Sequence, residues 1–256
     1  MVTALTVGLS VAARSITNTR TSQASSNSEE AFSAAEAGIE QSLALITPAP
    51  VNGSFTNNAS YKTSVISVAG TSFAMNNGSP ILQDQPADLW LSTYPSYSTQ
   101  FSGNFTVYWG KSTDVCNSSP ATNTMAALEI LVLSGTTANP QISHFNVDPC
   151  NARSVSNKFT AIAPGGGTVS GTNYAYSTTI PITNGLFARI LPLYAPTNVA
   201  VTGCNAANTV CNPLPAQGTV IQSIGTSQDT KRELVTYRYY PSLPSEIFQY
   251  NFFASQ

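Results

Sequence analysis

Apolar residues near the start of the chain recur at helical spacing, and no proline occurs before Pro48. Between positions 32 and 46 they follow one another every three or four residues, which places them on one face of a helix. We therefore predict one long helix over residues 1–47, whose part 14–47 packs this face against a sheet. The residues predicted to make that contact are Phe32, Ala35, Ile39, Leu43 and Ile46.

The first 13 residues differ because they contain no charged side chain. Their polar members, Thr3, Thr6 and Ser10, can bond back to carbonyls of the helix itself, so the segment prefers lipid or similar helices to water. At about 1.5 Å per residue it reaches only roughly 20 Å, short of the ~30 Å hydrocarbon core of a bilayer. This segment is therefore predicted to be either a fragment of a longer membrane span or a segment that packs within a bundle of helices. The residues predicted to pack there are Val2, Leu5, Val7, Gly8, Leu9, Val11 and Ala12.

After Pro48 and Pro50 end the helix, the pattern changes to short runs rich in β-branched and aromatic residues, separated by turn residues. The most continuously apolar run, 126–133, is the predicted central strand. Asn184-Gly185, between two apolar runs, predicts a hairpin turn. Strands at this density predict an α+β protein, in which the long helix covers a large, mostly antiparallel β-rich domain over residues 48–256.

The end of the chain is predicted to be a docked tail. Pro241 and Pro244 keep it out of a central strand. Aromatic burial would then hold it against the domain. The aromatic residues in question are Phe248, Tyr250, Phe252 and Phe253.

Charge is scarce, with 10 basic and 12 acidic residues among 256 and a net charge of −2. No basic patch is available for nucleic acid, which excludes that class of partner. The polar surface is instead neutral, with 32 serines, 30 threonines and 21 asparagines. Such a composition suits extracellular proteins that pack side by side without strong charge repulsion.

The four cysteines, Cys116, Cys150, Cys204 and Cys211, predict disulfides and therefore an oxidising compartment. Their order favours the pairs 116–150 and 204–211, because the second pair closes a short polar loop, although three pairings are possible. A zinc site is the alternative. It fits poorly, because no C-x-x-C pair is present and His144 is the only histidine.

The run A-F-S-A-A-E-A-G-I-E-Q-S-L at 31–43, preceded by the apolar start and a middle rich in small residues, resembles the N-terminal helix of type IV pilin-like proteins, in particular a subgroup often described as minor pilins. The segment R-I-L-P-L-Y at 189–194 resembles a closing strand of the same subgroup. Many pilins have glutamate at the fifth mature position, where this chain has Leu5. No leader peptide is recognisable either, so we expect a processed or N-terminally incomplete subunit.

The resemblance implies a structural subunit of an extracellular type IV pilus-like filament (a fimbrium), which polymerises as a helical homo-oligomer through its N-terminal helices. It also implies that the chain waits in the inner membrane before the pilus assembly machinery adds it to the filament. An alternative within the resemblance is a minor or tip subunit, or a pseudopilin, with an initiating or adhesive role.

A third alternative is a membrane-anchored extracellular enzyme or glycan-binding domain that uses Trp90, Tyr94, Tyr97 and Trp109 as a sugar platform. Catalysis has little support, because His144 is the only imidazole and no nucleophile pairs with it by motif. The segment from Asp84 to Asp88 lacks the ligand density of a calcium loop. We predict no enzymatic activity, no metal site and no cofactor.

Overall fold

The structure is a computed structural model that describes residues 2–45, 49–117, 122–211 and 213–244, with side chains from residue 11 onward. One long helix is followed by many short strands, so the protein is α+β. In chain order the elements are α1 (Val2–Ala44), β1 (Asn52–Ser54), β2 (Ser60–Ser67), β3 (Ser72–Ala74), β4 (Ala87–Trp90), β5 (Phe101–Trp109), β6 (Ala127–Thr136), β7 (Asn139–Asp148), α2 (Asn151–Asn157), β8 (Thr160–Ala161), β9 (Gly167–Val169), β10 (Thr172–Tyr174), β11 (Tyr176–Leu193), β12 (Val199–Cys204), β13 (Gly218–Ser227) and β14 (Thr230–Tyr239).

The chain divides into two compact units, where the sequence had predicted a helix and one β-rich domain over 48–256. Unit 1 consists of Met1–Val68 and Gly218–Tyr239, and unit 2 consists of Ala69–Gln217 and Tyr240–Gln256. The sequence pattern gave no sign of this division, because the division depends on pairing between β2 and β13, which are far apart in sequence.

Unit 1 is α1 with a four-stranded antiparallel sheet in the order β1-β2-β13-β14. Strands β2 and β13 are hydrogen-bonded neighbours although unit 2 separates them in sequence. The Val68 amide donates to the Gly218 carbonyl at 2.9 Å, so the two ends of the intervening segment lie side by side. The larger segment of unit 2, Ala69–Gln217, is therefore an insertion into what would otherwise be a simple hairpin of unit 1.

The helix packs on this sheet through small residues, which corrects the predicted contact set. Ala35 is buried as predicted, and Ile39 is half-buried. Phe32 and Leu43 are 43% and 38% exposed and are not among the buried residues of the contact, and Ile46 lies outside the described residues. The positions on the seam are Ala31, Ala34, Ala35, Gly38 and Ser42.

The reason for this difference is the short distance between helix and sheet. A Cβ added at Gly225 of β13 would lie 1.9 Å from the Ala31 carbonyl oxygen, and one added at Gly38 would lie 2.4 Å from the Ser223 hydroxyl. At these two positions only glycine fits, and the rest of the seam is limited to small residues. The predicted helical periodicity is therefore correct. The buried face of α1, however, consists of the small residues of the seam and not of the large residues that were predicted.

Unit 2 is built on an eight-stranded sheet that contains the path β3-β12-β5-β11-β6-β7-β8, with β4 paired to β11. Its core holds large side chains that are fully buried, including Phe105, Trp109, Leu128 and Ile130. The predicted central strand is β6, which lies inside the sheet between β11 and β7. Residues on both faces of β6 are buried, which explains why its apolar run is nearly continuous.

The hairpin predicted at Asn184-Gly185 is wrong, since both residues lie within the 18-residue strand β11. There the pairing register shifts, and Asn184 adopts a left-handed conformation with φ of 53°. Asn-Gly tolerates that conformation in a bulge as readily as in a turn. Here the bulge lets β11 pair with β5 in its first half and with β6 and β4 in its second.

The start of the predicted tail is docked within unit 2. The Tyr240 amide donates to the Gln217 carbonyl, and the Trp90 indole donates to the Pro241 carbonyl. Arg189 pairs with Asp88 at 2.7 Å and donates to the Leu243 carbonyl, while the Leu243 amide donates to Asp88. The four aromatic residues from Phe248 to Phe253 that were predicted to dock the tail lie outside the described residues.

Candidate assembly surface

The candidate functional surface is the part of α1 that precedes its contact with the sheet. Every side chain from residue 11 to residue 26 is exposed, including Val11 at 62% and Ile16 at 55%. Of the residues predicted to form the filament core, Val11 and Ala12 are exposed on this helix. Val2, Leu5, Val7, Gly8 and Leu9 belong to the helical backbone, and their side chains lie outside the described part.

The polar side chains on this surface are satisfied by the helix itself. The hydroxyls of Thr17, Thr19 and Thr21 each donate to the carbonyl four residues earlier, at 2.9, 2.9 and 3.0 Å. This is the bonding that the sequence predicted for the threonines nearer the start of the chain. A hydroxyl bonded in this way loses little when water is removed, so the surface can be buried against another helix.

Charge on the same stretch is limited to Arg14 and Arg20, and the first acidic residues are Glu29 and Glu30. Glu30 accepts a hydrogen bond from the Ser227 hydroxyl at 2.8 Å, where α1 meets the sheet of unit 1. The helix therefore changes character near residue 27, from an exposed, nearly neutral surface to a docked one. Among the described residues, no helix is long and apolar enough to cross a membrane.

Both disulfides are present as the sequence favoured, Cys116–Cys150 and Cys204–Cys211. The first holds the segment after β5 to the start of α2, and the second closes the polar loop after β12. Both belong to unit 2. They support an oxidising compartment.

His144 lies on β7, where its Nδ1 is 3.2 Å from Glu129 on the neighbouring strand. Asp148 is buried and accepts two hydrogen bonds from Arg153, at 2.7 and 2.8 Å, so it is not an orienting partner of His144. Asp88 is likewise occupied by Arg189. In the described part of the chain, no group of three His, Cys, Asp or Glu side chains is arranged to hold a metal ion.

The predicted sugar platform is wrong for its tryptophans. Trp109 is fully buried in the core of unit 2, and Trp90 is only 5% exposed. Tyr94 and Tyr97 are half-buried, and their ring centroids lie 5.0 and 5.9 Å from that of Trp90. These aromatic residues pack on one another rather than forming a flat exposed surface.

Sequence reasoning did not find the two buried ion pairs, Asp148 with Arg153 and Asp88 with Arg189. Asp148 is the last residue of β7, and Arg153 lies in the following helix, α2. Asp88 lies in β4, and its partner Arg189 lies far along the chain in β11. In a chain with so few charges, an arginine inside an apolar run such as 186–193 is the available signal.

Comparison of the chain with known protein families, with curated proteins and with solved structures finds no match.

Proposed function

We propose that the protein is a structural subunit of an extracellular type IV pilus-like filament, polymerising through α1. The observation that carries this proposal is the division of a single helix into two parts. One part packs on the sheet of unit 1 through a seam of small residues, and the other is exposed on every side from residue 11 to residue 26. A nearly neutral, internally bonded helix surface of this kind is favourable for contact with other helices.

In this proposal the leading segments of many copies pack together along the filament axis. Small residues recur at 8, 12 and 13, which lets neighbouring helices approach closely. The neutral Ser/Thr/Asn-rich surface lies outward, where low charge limits repulsion between adjacent subunits. Before assembly the same segment would be held in the inner membrane, from which the assembly machinery takes it.

Removal of residues 1–13 tests the proposal. We expect the shortened chain to remain folded and monomeric, while the full chain forms filaments that are visible by electron microscopy. The matched control is a full chain with Lys111→Glu, an exposed position in unit 2, which should assemble as before. Filaments of unchanged form from the shortened chain would rule the proposal out.

A second candidate, a minor or tip subunit of the same filament, is favoured by the insertion of Ala69–Gln217 between two paired strands. A module that enters and leaves unit 1 at adjacent residues can be added without changing the helix or its sheet. Such a module suits a subunit that presents a surface for binding. Quantitative mass spectrometry of sheared filaments separates the candidates, because a repeating subunit dominates the mass whereas a tip subunit is a trace component.

A further inference from the structure

The face of the unit 1 sheet opposite α1 is exposed and carries both apolar and polar side chains. Its aliphatic and tyrosine side chains, read from the strand pairing, lie on β2, β13 and β14, and Ser64 and Gln222 form a hydrogen-bonded pair among them. Five of the aliphatic and tyrosine side chains are between 38% and 62% exposed, and the sixth, Val220, is half-buried. We call these residues the open face: Ile66, Val220, Ile224, Val235, Tyr237 and Tyr239.

The same side of the sheet also carries charged side chains, and two of opposite sign, Lys62 and Glu233, lie at matched positions. Ile224 on the middle strand, β13, pairs with Lys62 on one side and with Glu233 on the other. Both charged side chains are exposed, and the three residues form one row across the sheet. The neighbouring row is Ser64, Gln222 and Val235, in which the Gln222 side chain donates to Glu233. An apolar row of Ile66, Val220 and Tyr237 follows it.

We propose that the open face binds the open face of a second copy of this chain, about a two-fold axis parallel to the strands and above β13. Rotation about such an axis places β2 of one copy opposite β14 of the other. Each row of residues across the sheet then faces the same row of the second copy. This arrangement therefore sets Lys62 of each copy against Glu233 of the other and brings the two Ile224 side chains together. An isologous contact requires this self-complementarity, which the row of Lys62, Ile224 and Glu233 provides.

The direction of α1 agrees with the proposed arrangement. Arg232 of β14 donates to Ser28 at 2.8 Å, and Arg238 donates to the Leu45 carbonyl at 3.0 Å, so α1 and β14 run in the same direction. A two-fold axis parallel to the strands then leaves the helices of both copies pointing the same way. Copies held in one membrane, or in filaments that grow from one surface, share this orientation. The contact thus rests on the proposed function, to which it adds a second contact between subunits.

The size of the open face indicates how strong the contact is. Three strands of eight residues cover roughly 14 by 26 Å, on the order of 400 Å² for each copy. Specific stable interfaces bury about 1,200–2,000 Å² in total, so this face alone holds two copies weakly. It becomes effective where many copies are held side by side, as in one membrane or in adjacent filaments, because the local concentration is then high.

The test uses the full chain with Ile224→Cys and a short bis-maleimide cross-linker. All four native cysteines are in disulfides, so only the new thiol reacts. We expect a covalent dimer, because the axis passes beside this position. Lys111→Cys, an exposed position in unit 2, is the matched control and should give none.

Charge reversal then tests the two-fold axis. In the Ile224→Cys background, Lys62→Glu alone or Glu233→Lys alone should lower the dimer yield about tenfold, because each sets like charges together twice. A mixture of the two single variants should restore the yield, since each unlike pair is formed again between copies. The double variant Lys62→Glu/Glu233→Lys should restore it as well.

Three results would overturn the proposal: no covalent dimer, a yield that ignores both charge reversals, or protection of the thiol introduced at position 224 from maleimide without a dimer. The last would mean that another occupant, such as a glycan or a different protein, covers the face. The two proposals also fail separately. A cross-linked dimer without filaments would contradict the filament proposal but not the open-face contact. Filaments without cross-linking would contradict the open-face contact alone.

Discussion

Unit 1 and unit 2 are packed in opposite ways, the first through small residues and the second through large ones. In unit 1 a helix and a sheet meet through Ala31, Ala35, Gly38 and Gly225, at distances where an added methyl group has no room. In unit 2 the core consists of large side chains such as Phe105 and Trp109, supported by both disulfides and both buried ion pairs. Unit 1 should therefore be most sensitive to added atoms, and unit 2 to removed ones.

The contrast also separates their roles. A seam of small residues holds α1 close to the sheet and leaves the large side chains Phe32 and Leu43 exposed on the helix. Unit 2 contains both disulfides and both of these ion pairs, and most of it is inserted between two paired strands of unit 1. Four predictions test this comparison, beginning with the largest expected effect.

The first prediction is that Gly225→Val prevents α1 from docking on its sheet. The new Cβ would lie 1.9 Å from the Ala31 carbonyl and 2.5 Å from the Ala35 nitrogen, and backbone atoms of two regular elements cannot move aside locally. Overpacking usually costs about 1–3 kcal/mol, and a backbone clash costs more. Hydrogen exchange of residues 31–42 should rise to the level of an undocked helix, while exchange in β5 and β6 stays slow.

Two controls accompany this substitution. Gly165→Ala, where the nearest atom to a new Cβ is 3.9 Å away, should leave stability unchanged. Phe32→Ala removes a large but 43% exposed side chain and should change the free energy of unfolding by less than about 0.5 kcal/mol. If Phe32→Ala were the more damaging change, the small-residue seam would be the wrong description of unit 1.

The second prediction is that Phe105→Ala destabilises unit 2 by about 3–5 kcal/mol and leaves unit 1 intact. Phe105 is 0% exposed and lies in the main core cluster, so truncation leaves a cavity that the surrounding strands cannot close. Denaturant unfolding followed by tryptophan fluorescence reports on unit 2, which contains both Trp90 and Trp109. A loss of protection in α1 as large as that in β5 would contradict separate cores.

The same contrast explains what the sequence could predict. The helix, the density of strands, β6 and the favoured disulfide pairs follow from local patterns, and all are present. The buried face of α1 was misassigned because hydrophobicity ranks phenylalanine and leucine above alanine and glycine. Small residues are buried instead because the backbones of α1 and its sheet lie very close together. That distance is a property of the tertiary structure and cannot be taken from the hydrophobic pattern.

The other misassignments have the same kind of cause. Asn184-Gly185 has the conformation expected of a turn. However, β11 pairs with β5 before this position and with β6 after it, so the two residues form a bulge within the strand. The insertion was not visible because β2 and β13 pair across residues 69–217. The proposed assembly surface, in contrast to these features, can be recognised in the sequence, since it depends on low charge and small residues along one helix.

The third prediction concerns a cross-link that only unit 2 has. Cys204→Ser/Cys211→Ser should lower the stability of unit 2 by about 2.5 kcal/mol, because the disulfide closes a short loop with a sequence separation of 7. Thermal unfolding of the double variant measures the loss. The matched comparison is Cys116→Ser/Cys150→Ser, whose separation of 34 predicts a larger loss of about 4 kcal/mol. Equal losses would show that loop closure does not control the effect.

The smallest expected effect is a loss of unit 2 stability in alkaline solution. Burial raises the pKa values of Tyr174, Tyr176 and Tyr240 above the ordinary value of 10.0, and the Asp114 carboxylate raises that of Tyr176 further. All three tyrosines belong to unit 2. Because the folded state holds these protons more tightly than the unfolded chain does, their contribution is complete below about pH 10 and declines as the pH rises above it.

Tyr176→Phe isolates one of these groups, since it removes a hydroxyl that donates to the sulfur of Met125 and keeps the ring beside Trp109. We expect the free energy of unfolding to fall less steeply above about pH 10 in this variant than in the natural chain, measured by urea unfolding at several pH values. Tyr237→Phe, at a 62% exposed position in unit 1, is the control and should keep the natural slope. A slope that changes with Tyr237→Phe and not with Tyr176→Phe would contradict the assignment of the alkaline sensitivity to unit 2.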